Sequence, residues 1–198
     1  MNLFQSRTGF SWQTRNDRLG LVVVSALTII AMGAGLLIKE QSTNDTWLFE
    51  SRSAGVVARY PAGWIVDEGS GAVARISDPR SRPFKTQYSI SSFPFSGQTS
   101  IRNILDGITL QRSSDLAGYR VLEVFDAFVL GRNITRMRFA FVVADPNPFI
   151  QQIPVVVLGE DTVIVDGNRA LVITYENFEQ RFDADRASYD RFYASIRY

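Results

Sequence analysis

The chain has 198 residues, with 21 Lys and Arg against 20 Asp and Glu, and it contains neither cysteine nor histidine. Without cysteine there can be no disulfide, thiolate nucleophile, Cys-ligated zinc or iron–sulfur cluster, and without histidine the usual general base, haem ligand and transition-metal ligand are gone. A net charge of +1 supplies no field for nucleic acid, whose phosphates require many unopposed cations.

Residues 1–18 read as a short cytoplasmic tail carrying Arg7, Arg15 and Arg18 against Asp17. Its Trp12 is placed to act as a membrane-interface anchor, because an amphipathic indole favours the headgroup layer. Residues 19–38 follow without a charge, and 11 of them are Leu, Ile or Val. At about 1.5 Å per residue a helix of that length spans roughly 30 Å, the hydrocarbon thickness of a bilayer, so the stretch predicts a transmembrane helix. A secretory signal peptide would share the basic start, but its apolar run is only about 7 to 15 residues. The positive-inside rule puts the N-terminus in the cytoplasm and the rest of the chain outside.

Within this predicted helix Thr28, Ala31 and Gly35 recur at spacings of three and four, a small-residue face that lets a partner helix approach closely. Residues 39–46, polar and charged, predict a juxtamembrane linker. From residue 47 onward, short runs of Val, Ile, Phe and Tyr punctuated by Gly, Pro, Asp and Asn predict strands at 47–51, 56–60, 72–77, 87–93, 119–129, 134–143, 154–158, 163–165 and 170–175. The Asp166-Gly167 turn predicts an antiparallel hairpin. Helical spacing occurs twice. Ile101, Ile104, Leu105 and Ile108 follow the capping candidates Thr99 and Ser100, and Tyr189, Phe192, Tyr193 and Ile196 follow Asp183. Both helices need a sheet to bury those faces, which makes residues 47–198 one α+β domain.

Three motifs in order resemble the PsbP-like family of extracytoplasmic domains, whose members include an extrinsic subunit of the oxygen-evolving photosystem. They are Tyr60-Pro61-Ala62-Gly63-Trp64, then Val129-Leu130-Gly131-Arg132-Asn133 before a long strand, then Phe192-Tyr193-Ala194-Ser195-Ile196-Arg197-Tyr198 at a closing helix. The resemblance implies an α/β/α sandwich around a central antiparallel sheet and a habit of binding a larger complex without catalysis. The chain departs from the photosystem members in its predicted membrane helix and its lack of histidine. On the residues alone, Pro61 fixes φ and Gly63 relaxes it, so that Trp64 turns back as a buried plug.

Arg75, Arg80, Arg82 and Lys85 form the candidate docking patch, opposed only by Asp78. Guanidinium groups there suit carboxylates of a neighbour or anionic lipid headgroups, and a solvated loop is the alternative. Arg132, Arg136 and Arg138 form a second basic group, expected on a polar outer strand face. The acid pairs Asp67-Glu68, Glu160-Asp161 and Asp183-Asp185 are expected in solvated turns. No catalytic residue, metal or cofactor is expected. The sequence therefore predicts a non-catalytic single-pass accessory subunit of a larger membrane assembly, a photosynthetic or respiratory electron-transfer complex by the resemblance. Its partners would be the membrane and other integral subunits. The alternative is a membrane-tethered extracytoplasmic ligand-binding or sensory module.

Overall fold

A computed structural model of the chain describes residues 15–69, 71–96, 99–129, 131–144 and 153–198, so Trp12 lies outside the described residues. The chain divides into two units, Met1–Asp45 and Thr46–Tyr198. The first holds the helix α1 (Arg15–Asn44), which continues through residues 39–44 of the expected linker. Side chains of α1 are described for residues 20–35, all exposed. Among the described residues no helix is long and apolar enough to cross a membrane.

The second unit is α+β. Its strands are β1 (Thr46–Ser51), β2 (Val56–Pro61), β3 (Ile65–Asp67), β4 (Ala74–Ser77), β5 (Gln87–Pro94), β6 (Arg120–Val129), β7 (Arg132–Val143), β8 (Val155–Asp166) and β9 (Arg169–Phe178). Its helices are α2 (Ile101–Asp115), the single turn α3 (Glu179–Phe182) and α4 (Arg186–Ser195). β1 and β2 make a two-stranded ribbon, and the other seven form an antiparallel sheet in the order β3-β4-β5-β9-β8-β7-β6. The predicted hairpin is β8–β9, closed by Gly167 and Asn168, with Gly167 at the positive φ that a turn this tight demands.

One face of the sheet carries α2. Ser100 caps it by accepting from the Asn103 amide at 3.1 Å, and Ile104, Leu105 and Ile108 pack on Met137, Val163, Ala170 and Val172. The other face carries α4 and the β1–β2 ribbon over an aromatic core. The Tyr88 ring stacks 4.7 Å from Phe192 and 4.7 Å from Trp64, and Tyr175 stacks 4.9 Å from Tyr189. Each fully buried aromatic of this kind contributes about 1.5–3 kcal/mol, which explains why a ten-residue helix with no side-chain cap holds its place. Trp64 is the plug that its Pro-Ala-Gly lead-in predicts, its amide bonded to the Pro61 carbonyl at 3.3 Å.

The largest departure from the sequence prediction is β8. The segments expected as two strands, 154–158 and 163–165, are one strand that runs straight through Glu160 and Asp161, both fully buried. The expected solvated turn is instead the centre of the sheet. Alternation along the strand sends the two carboxylates to opposite faces, and each is met there by arginine. Glu160 faces α4 and pairs with Arg186 at 2.6 Å, Arg138 at 3.0 Å and Arg136 at 3.3 Å. Arg136 and Arg138 are thus not the polar outer face expected of them, since Arg136 is buried.

Candidate functional site

The α2 face positions the functional surface, because α2 crosses only the middle of the sheet. Arg75, Ser89, Thr174, Asp161, Met137 and Val124 are register partners across β4, β5, β9, β8, β7 and β6. Asp161 and Met137 lie in the middle, at the foot of α2. There Arg112 grips Asp161 with two bonds of 2.6 and 3.0 Å, Thr174 donates to the same carboxylate at 2.6 Å, and the guanidinium lies 4.2 Å from the centre of the Phe139 ring. Burial by itself would lower the Arg112 pKa, but the charge and hydrogen bonds of Asp161 outweigh it and hold it above its ordinary value.

Phe139 can lie in this position because its register partner is Gly159: any Cβ there would sit 2.1 Å from the ring. Asp161 and Gly159 together therefore fix Arg112, and Arg112 fixes the C-terminal half of α2. Among the described residues, two flanks of the sheet remain uncovered on either side of the helix.

On the β5 side is a cleft of about 500 Å³. Its floor is polar, made by Gln87, Ser89 and Ser91 of β5 and Thr174 and Glu176 of β9, with Arg75 at one margin. Gln87 donates to the Glu176 carboxylate. Burial pushes the Glu176 carboxyl above the usual carboxylate range, against the opposing charge of Arg112 and the Gln87 bond.

On the β6 side is a groove of about 540 Å³ between α2 and the last strand, lined by Ile101, Leu105, Val121, Val124 and Met137 with Arg102 and Asp106 at its rim. β6 is the sheet's outer strand and pairs only with β7 among the described residues. Val121, Val124 and Phe128 point to the groove side with 38 %, 55 % and 73 % of their surface exposed. Neither sequence pattern nor composition marks this strand as an edge, which is set by strand order alone.

The residues of the predicted docking patch are all exposed, but the structure does not gather them into one site. Arg75 lines the cleft. Arg80 is tied to Asp78, its amide 2.9 Å from Oδ1, and Arg82 donates to the carbonyls of Pro79 and Ser81 at 2.9 and 2.8 Å. On α1, Thr28, Ala31 and Gly35 are exposed, and the Thr28 hydroxyl bonds back to the Val24 carbonyl at 2.9 Å. Among the described residues no cluster of three or more acidic side chains is placed to hold a metal ion.

No family model matches the chain, and no curated protein matches it in sequence. The fold is that of the PsbP-like proteins. The solution structure of cyanobacterial PsbP from Synechocystis sp. PCC 6803 is similar at a TM-score of 0.56 and 12% identity, over 77% of this chain and 91% of that one. LpqN of Mycobacterium tuberculosis, described as involved in cell envelope biogenesis, is similar at a TM-score of 0.49 and 11% identity, over 77% and 89% of the two chains. The Ran-binding protein Mog1p of Saccharomyces cerevisiae gives a TM-score of 0.49 and 9% identity over 77% and 95%.

Proposed function

We propose that this chain is a non-catalytic accessory subunit of a larger membrane assembly, held in the bilayer by one helix and docked on a neighbouring subunit through β6. The anchor reading rests on sequence: residues 19–38 are uncharged, and they fall within the single helix α1. In this arrangement the N-terminus is cytoplasmic, Thr28, Ala31 and Gly35 meet a partner helix, and the domain works on the extracytoplasmic side. The fold shared with cyanobacterial PsbP directs the proposal toward a photosynthetic or respiratory electron-transfer complex.

The observation that carries the docking reading is the open edge of β6 beside an apolar groove. A ten-residue outer strand whose far edge is unpaired among the described residues is a template for an added strand, and proteins ordinarily blunt such edges. The opposite edge is blunted, because β3 has only three residues. The partner is a strand from another subunit and not a second copy. β6 carries the cation Arg120 and the acids Glu123 and Asp126, and no antiparallel self-pairing sets both acids opposite a cation. The added strand therefore brings apolar residues to the groove side and Lys or Arg opposite the acids. After mild detergent extraction the protein should comigrate with larger subunits on native electrophoresis; migration alone at its monomer mass would remove the support for this function.

A further inference from the structure

The cleft on the other flank of α2 is separate from the β6 edge and carries an inference of its own. Arg112 lines it but is not free, since its charge is taken up by Asp161. Arg75 and Glu176 are different: among the described residues neither makes an ion pair, and the Glu176 carboxylate takes only the Gln87 amide. They sit on the same face, Arg75 on β4 and Glu176 on β9, with β5 between them. Strand and residue spacings put their Cα atoms roughly 12 Å apart, so one concavity carries a cation at its margin and an anion in its floor.

Between them on β5 stand Ser89, opposite Arg75, and Gln87, opposite Glu176, both half-buried, while Ser91 lines the cleft one step farther from Glu176. The rest of the lining mixes apolar side chains, among them Phe84, Ile108 and Val172, with Gln111, Arg112 and Asp115. Burial makes the Glu176 carboxylate costly, the charges of Arg112 and Arg75 and the Gln87 amide offset only part of that cost, and a ligand ammonium offsets more of it than an amide does. Asp115, at the end of α2 and bonded to the Ser114 hydroxyl at 2.9 Å, adds negative charge to the same cleft.

We infer that this cleft binds a small zwitterion with an apolar body, a free dipeptide, its carboxylate on Arg75 and its ammonium on Glu176. Two residues at full extension span about 7 Å, which leaves room for one hydrogen-bonded contact to each charged side chain. The volume of about 500 Å³ falls within the range of small-molecule sites. The apolar side chains of such a peptide lie against apolar lining residues such as Phe84 and Ile108, and its amide meets the Ser89 hydroxyl. A single charge of either sign would leave the other charged group uncompensated, which is why a simple anion or amine is the poorer fit.

The test is isothermal titration calorimetry of the full chain in lipid nanodiscs against L-leucyl-L-leucine, with its N-acetyl and C-amide derivatives as charge-deleted controls. The expected result is saturable one-to-one binding that weakens at least tenfold for each derivative and at least tenfold in Arg75→Gln and in Glu176→Gln. Arg75 is exposed and glutamine is isosteric with Glu176, and circular dichroism confirms that both variants keep the fold. Absence of saturable binding, or equal affinity for the N-acetyl or C-amide derivative, would overturn the assignment. So would binding unchanged by both substitutions.

Discussion

Glu160 and Asp161 are consecutive on β8, both fully buried, and they hold opposite faces of the sheet: Glu160 gathers arginines from β7 and α4, while Asp161 takes Arg112 of α2. One dipeptide thus ties down both helical layers of the sandwich. Removing one partner of a buried ion pair leaves the other charge stranded, and that penalty exceeds the net worth of the pair.

Glu160→Ala is therefore expected to lower domain stability by about 3–5 kcal/mol, because Arg136 and Arg186 lose their buried counter-charge. Glu123→Ala removes only the outer partner of Arg138, a pair about half exposed on both sides, and should cost under about 1 kcal/mol. Urea denaturation followed by tryptophan fluorescence measures both. Equal effects would mean that burial does not set the cost.

Gly159→Ala places a methyl group into the Phe139 ring and is expected to destabilise by about 1–3 kcal/mol or more, since the ring is held between Gly159 and the Arg112 guanidinium. Combining it with Phe139→Leu should cost less than the sum of the two single changes, because the smaller side chain vacates the space the new methyl needs. A double-mutant cycle in urea reads the coupling. Simple additivity would show that the ring does not sit where Gly159 makes room for it.

The raised pKa of Glu176 has a definite sign in the pH dependence of stability. Between the ordinary value of 4.5 and its elevated folded value, the folded chain keeps a proton that the unfolded chain has released. Stability contributed by this group is therefore full below that window and falls as pH rises through it, the reverse of a salt-bridged carboxylate. Glu176→Gln should flatten the slope in that window. Thermal melts of the two proteins across acidic to neutral pH make the comparison, and parallel curves would contradict the assignment.

Several of these features were legible in the sequence. The Asp166-Gly167 turn, the Ser100 cap with Ile104, Leu105 and Ile108 behind it, and the Pro61-Ala62-Gly63 lead to a buried Trp64 are local patterns, and local sterics decide them. Glu160-Asp161 misled because adjacent acids ordinarily mark solvent. The signal that would have corrected this was arginine at matched positions elsewhere: Arg136 and Arg138 alternating on β7, with Arg112 and Arg186 on helix faces. The edge position of β6 and the facing of Arg75 with Glu176 across β5 could not be read at all, because strand order is fixed by pairings distant in sequence.

In the proposed function β6 is occupied in the membrane by a strand of another subunit. Site-specific photo-crosslinking from position 128, where Phe128 is the most exposed apolar side chain of β6, tests it most directly, with position 48 on the β1–β2 ribbon as the control. One discrete heterologous adduct is expected from position 128 in intact membranes and none from position 48. No adduct from position 128, or only a dimer of this chain, would contradict it.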